Sequence, residues 1–338
     1  MQRFALAKQK VLPESAKRIF DVVALELDLV ETEFERQAAS NIQVINYLGE
    51  YLRESGGKRV RPALLILATY ATGGNGKRES VIRLATVMEM IHTATLVHDD
   101  IIDNADIRRN RSSINARFGN QAAVLMGDWL YMTAFQTALG ERSLEILDIL
   151  TRLTRKMTEG EIIQMTKIGD LAITEDEYFD ILRRKTAHLF EACCEVGSIL
   201  AEADDTQRGA LKQFGLDLGT AFQLCDDMLD LTADDAQLGK AAGSDLLEGK
   251  LTLPLIMLLD REPAIRPRLE QVMLDGTYVD LSRHEIREKL DSDGILDQIR
   301  SRANELSERA RKSLDVLPQS VYRSCLEDVL TFVIERKR

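Results

Sequence analysis

The sequence predicts an all-α fold, on three observations. Apolar residues recur at steps of three and four almost throughout, no stretch sustains the alternation of a half-buried strand, and only 6 prolines and 20 glycines interrupt 338 residues. A hydrophobic fraction of 45% beside 29% charge supplies a large core. Neither an internal repeat nor a low-complexity linker divides the chain, so residues 1–338 are expected to form a single helical domain.

In chain order, a helix is expected after Pro13-Glu14, with Ile19, Val22, Val23, Leu27 and Val30 on its apolar face. A second covers 42–53 and stops at Ser55-Gly56-Gly57; a third follows Pro62 and stops at the glycine cluster 73–76. Long helical patterns then run over 79–104, 113–138 and 144–168. Thr174 with Glu177 forms a capping box that opens a helix through about residue 201, and further helices cover 206–231, 251–260 and shorter stretches to the C-terminus. The stretch 81–102 is apolar on more than one face, which places it inside a bundle, where polar residues are costly unless used.

The balance of 44 basic against 55 acidic residues gives a net charge of −11, which argues against nucleic-acid binding. No uninterrupted run approaches the roughly 18 apolar residues of a membrane span, and the N-terminus lacks a signal-peptide core. Cys193, Cys194, Cys225 and Cys325 form neither a C-x-x-C pair nor a disulfide framework. A reduced, cytoplasmic protein without an integral membrane segment is expected. With G-x-G-x-x-G and Walker A patterns both absent, dehydrogenase and kinase readings lose their support.

Two acidic clusters are the specific signal. Residues 96–103 read LVHDDIID, setting Asp99, Asp100 and Asp103 among aliphatic side chains; residues 224–231 read LCDDMLDL and do the same for Asp226, Asp227 and Asp230. Carboxylates four apart share a helix face and repel each other. One such cluster would suit a solvated surface, but two on apolar helices call for a cation. Mg²⁺ fits, because it takes few carboxylates and completes its shell with water and phosphate oxygens. The basic residues agree: GGKRVRP at 56–62 carries Lys58, Arg59 and Arg61, and Arg108 and Arg109 follow the first cluster. Guanidinium forks and lysine point charges suit a diphosphate. Lys185 with Thr186, Lys240 and Lys250 are isolated candidates, and His92 lies two turns before Asp99 on a shared face.

These residues resemble the trans-isoprenyl diphosphate synthases, in their long-chain polyprenyl branch. The matching blocks are GGKRVRP (56–62), MIHTATLVHDDIID (90–103), ADIRRN (105–110), GEIIQ (160–164), RKTAHLFEA (184–192), GTAFQLCDDMLD (219–230) and LGKAAGSDLLEGKLTLP (238–254). Asn110 departs from the pattern, since many relatives have Gly there.

The resemblance implies an all-helical barrel of the isoprenoid synthase type with a central active-site cavity, usually as a homodimer. It implies that Asp99, Asp103 and Asp226 bind Mg²⁺, with Asp100, Asp227 and Asp230 completing the two catalytic motifs. Arg108, Lys185, Thr186, Gln223, Lys240 and Lys250 would hold an allylic diphosphate, and Lys58, Arg59, His92 and Arg109 isopentenyl diphosphate. The implied reaction is successive condensation of isopentenyl units onto farnesyl or geranyl diphosphate. Short-chain members close their cavity with an aromatic ring four or five residues before the first aspartate; here Thr95 and Ala94, with Ile91 a turn further, leave it open. An octaprenyl product is expected, within a hexaprenyl-to-decaprenyl range, and the tail suits a quinone side chain. A class I terpene cyclase needs no second aspartate motif, and a non-catalytic subunit of a heteromeric synthase tends to lose aspartates that this chain keeps.

Overall fold

The computed structural model describes residues 14–54, 56–73, 76–108, 111–232 and 242–335. They form α1 (Glu14–Val22), α2 (Ala24–Ala38), α3 (Gln43–Glu54), α4 (Val60–Ala71), α5 (Arg78–Ile102), β1 (Ile107–Arg108), β2 (Arg111–Ser112), α6 (Ile114–Phe118), α7 (Asn120–Leu139) and α8 (Leu144–Thr166). After these come α9 (Glu175–Leu182), a π-helical turn (Arg183–Ala187), α10 (His188–Leu200), α11 (Asp205–Thr232), α12 (Ser244–Leu247), α13 (Leu253–Arg261), α14 (Arg266–Asp275), α15 (Arg283–Ser292), α16 (Ile295–Ser313) and α17 (Val321–Ile334). The fold is all-α, as expected; the two-residue antiparallel pair of β1 and β2 was not foreseen.

The chain gathers into two compact units, each drawn from separate stretches. The first holds Met1–Thr154, Leu189–Gly215 and Arg311–Phe332; the second holds Arg155–His188, Leu216–Ala310 and Val333–Arg338.

In the first unit α5 is surrounded by α2, α4 and α7, and Val81, Leu84, Val87, Met88 and Met90 are fully buried. By length and composition α5 could cross a membrane, although polar residues punctuate it and leave no long unbroken apolar run; 67% of its most apolar window is buried inside the protein. The helix expected over 113–138 breaks at Gly119, whose φ of 86° is open to glycine at no steric cost.

In the second unit the capping box is realised: Thr174 Oγ1 accepts from the Glu177 amide at 3.3 Å, and Glu177 accepts from the Thr174 amide at 2.9 Å. The helix it opens does not run smoothly to residue 201, because the π-turn separates α9 from α10. Such bulges cluster at functional sites. This one carries Lys185 and Thr186. All four cysteines are buried free thiols.

Candidate active site

In the first unit, Asp99 and Asp100 lie in the last turn of α5 and Asp103 is its C-cap. Backbone carbonyls make a helix C-terminus the wrong end for anions, so three carboxylates there require compensation. Asp100, buried, has it. Asn104 turns the chain with φ 49°, the hairpin returns, and Arg108 Nε donates to Asp100 Oδ1 at 2.7 Å. Asp99 and Asp103 remain half-exposed. Tyr131 of α7 stands by Asp99; burial first, and then that carboxylate, push its phenol well above the usual range, so it keeps its proton. The α5–α7 seam closes tightly beside it. A Cβ at Gly127 would lie 2.2 Å from His98 Nε2.

The basic cluster divides in a way the sequence did not show. Arg59 starts α4 in a left-handed conformation (φ 51°) and buries its guanidinium between Glu31 and Glu89, with Nη1 2.6 Å from Glu89. Burial opposes its charge, but Glu89 and Glu31 outweigh it and hold the group firmly protonated. The arginine that meets His92 is Arg61: its Nη1 donates to His92 Nε2 at 3.0 Å while its guanidinium stacks on Phe190 at 5.1 Å. Lys58 is exposed, its Nζ 5.6 Å from the Phe332 ring centre. No sequence signal separates Arg61 from Arg59, since both precede an apolar helix. Ile91 and Ala94 are fully buried and Thr95 half-buried.

In the second unit one pocket brings together Gln164, Lys185, Thr186, Gln223, Asp227 and Lys250. Lys185 is paired with Glu161 and Gln164 of α8, and Lys250 with Glu248 at 2.7 Å. Thr186 donates to Gln223 at 3.0 Å, Gln223 donates to Asp227 Oδ1 at 2.7 Å, and the Tyr178 hydroxyl donates to Asp227 Oδ2 at 2.6 Å. Burial, then the Asp245 charge, push Asp227 up to about 8 against the pull of its Tyr178 and Gln223 donors. Asp230, also buried, accepts from the Asp245 amide at 3.3 Å, whereas Asp226 is half-exposed. Tyr178, Glu161 and Asp245 were not singled out; Glu161 and Asp245 lie within the matching blocks 160–164 and 238–254, which marked them, whereas Tyr178 on α9 carries no mark of its distant partner.

Arg109, Asn110 and Lys240 lie outside the described residues. No three His, Cys, Asp or Glu side chains among the described residues are gathered closely enough to hold a metal by themselves.

Residues 42–285 match the Polyprenyl synthetase family. The chain is 38% identical to octaprenyl diphosphate synthase of Escherichia coli (strain K12), over 95% of this chain and 99% of that one. A polyprenyl synthase from Caulobacter crescentus CB15, solved with calcium and isoprenyl diphosphate, superposes with a TM-score of 0.90 at 32% identity, covering 98% of this chain and 100% of that one. A decaprenyl diphosphate synthase from Rhodobacter capsulatus superposes at 0.89 with 35% identity, over 96% and 99%. On these likenesses the chain belongs to the polyprenyl synthetase family, prenyltransferases that make trans-polyprenyl diphosphates.

Proposed function

We propose that residues 1–338 act as one polyprenyl synthase domain that extends an allylic diphosphate by isopentenyl units to an octaprenyl product. The observation that carries the site assignment is the division within each aspartate motif. Asp100, Asp227 and Asp230 are buried and held by protein donors, while Asp99, Asp103 and Asp226 are half-exposed hard oxygen donors. These three are the Mg²⁺ ligands in this reading, and the bound ion would neutralise the diphosphate as it departs.

Lys185, Thr186, Gln223 and Lys250 hold the allylic diphosphate, with Arg108 and Lys240. Lys58, Arg59, His92 and Arg109 hold isopentenyl diphosphate, with Arg61 set against His92. The allylic C–O bond breaks, the isopentenyl double bond attacks the cation, and loss of a proton leaves a chain five carbons longer. Buried apolar neighbours keep water from the cation. The free thiols suit a reducing compartment, and the cytoplasm is the location we assign. A homodimer fits the exposed apolar stripe of Val124, Leu125, Met132 and Leu139 along α7.

The test is incubation with Mg²⁺, farnesyl diphosphate and excess isopentenyl diphosphate, with product length read by mass spectrometry. An octaprenyl-centred ladder, abolished by EDTA and by Asp99→Ala, is expected; no elongation from any primer would overturn the assignment. Ala94→Phe, or Thr95→Phe where the buried Ala94 does not tolerate a ring, should shorten the product. An unchanged distribution in both would sink the chain-length argument.

A further inference from the structure

We propose that Tyr178 is a positioning residue of the allylic-diphosphate pocket: its hydroxyl, by fixing Asp227, fixes the amide of Gln223 and the hydroxyl of Thr186. The inference rests on the reading of that pocket as the allylic subsite. Tyr178 lies on α9, is 6% exposed, and belongs to none of the motifs that carry the family resemblance.

The geometry gives it a defined task. Asp227 is buried and faces the negative charges of Asp245 and Asp226. Its two oxygens are taken separately, Oδ2 by the Tyr178 hydroxyl at 2.6 Å and Oδ1 by Gln223 Nε2 at 2.7 Å. Both oxygens accept in this arrangement, so the NH₂ end of Gln223 faces Asp227 and its carbonyl end turns to Thr186, whose hydroxyl donates to it at 3.0 Å. The polarity of the whole chain is thereby set from the tyrosine end. Gln223 is left with its second N–H to give to a phosphate oxygen. Thr186 keeps its lone pairs for water or a donor. Without the tyrosine hydroxyl, the carboxylate can swing about its Cβ–Cγ bond and release the amide to flip.

The ring has a separate role, as part of the pocket wall with an edge-on contact to Phe179 at 5.3 Å. Tyr178→Phe therefore keeps the packing and deletes the hydrogen bond. In the full-length protein with Mg²⁺, Tyr178→Phe should raise KM for farnesyl diphosphate or lower kcat by about 5–30-fold, leaving KM for isopentenyl diphosphate within about twofold. Binding of Mg²⁺-diphosphate, read by calorimetry, should weaken alongside. Gln223→Leu and the double variant complete a cycle. If the residues act in series, the double variant is no worse than Gln223→Leu alone by more than about twofold.

Wild-type kinetics in Tyr178→Phe, equal losses for both substrates, or fully multiplicative effects in the cycle would each overturn the proposal while leaving the enzyme assignment standing. A lowered melting temperature with unchanged kinetics would overturn it too, as the mark of a structural role. A wild-type protein that neither elongates nor binds Mg²⁺-diphosphate would remove both readings together.

Discussion

Asp227 ties protonation to stability. With metal chelated, the folded protein holds this carboxyl protonated up to about 8, whereas the unfolded chain gives up the proton near 3.8, as a free aspartate does. Between those limits the native state binds more protons, so Asp227 stabilises the fold at low pH and loses that contribution as pH rises through the window. Denaturant titrations in EDTA at several pH values should show Asp227→Asn flattening the decline by at most about 1.4 kcal/mol per pH unit. An identical slope in both proteins would show that Asp227 is ionised throughout. The aspartates themselves were legible, because six acids on apolar helices make a rare local pattern. Their division of labour was not, since it depends on Arg108, Tyr178 and Gln223 arriving from other places in the chain. The same holds for Arg59 and Arg61, two residues apart, one claimed by Glu31 and Glu89 and the other by His92.

Helices were legible from their apolar period, and their interruptions only where a cap or glycine cluster announced them. The Thr174–Glu177 box marked the start of α9 correctly. The π-turn left no trace, being an extra residue in an otherwise continuous helical pattern. Its tertiary support is Gly160 of α8, where a Cβ would stand 2.7 Å from Arg184 Cβ. Close helix crossings recur at Gly197, whose Cβ would fall 2.7 Å from the Leu65 carbonyl of α4. Gly197→Ala should cost about 1–3 kcal/mol with helix content retained, measured by urea denaturation and circular dichroism. Gly209, exposed in α11 with nothing within 4 Å of its Cβ position, should behave oppositely, Ala there adding about 0.4–1 kcal/mol. Equal effects at the two positions would contradict these crossing distances.

For the molecule as a whole, the exposed stripe of α7 sets the assembly expected in solution. Light scattering should give twice the 38.0 kDa chain mass, and Leu125→Glu with Met132→Glu should halve it. A mass unaffected by the pair would clear this face of the role. The all-α class was legible from composition and spacing, but the division into two compact units was not, since no linker or composition change marks where the chain passes from one to the other. That division has a bearing on how the protein is made. The first unit lacks Arg311–Phe332 until nearly the end of translation. At typical ribosome speeds, roughly 10–35 s separate the emergence of Thr154 from that of Phe332. During that interval the nascent chain has α2, α4, α5 and α7 in place without the segment that completes their unit. The unfinished unit is then a ready client for a chaperone, and a premature stop codon even a few dozen residues from the end would leave it so.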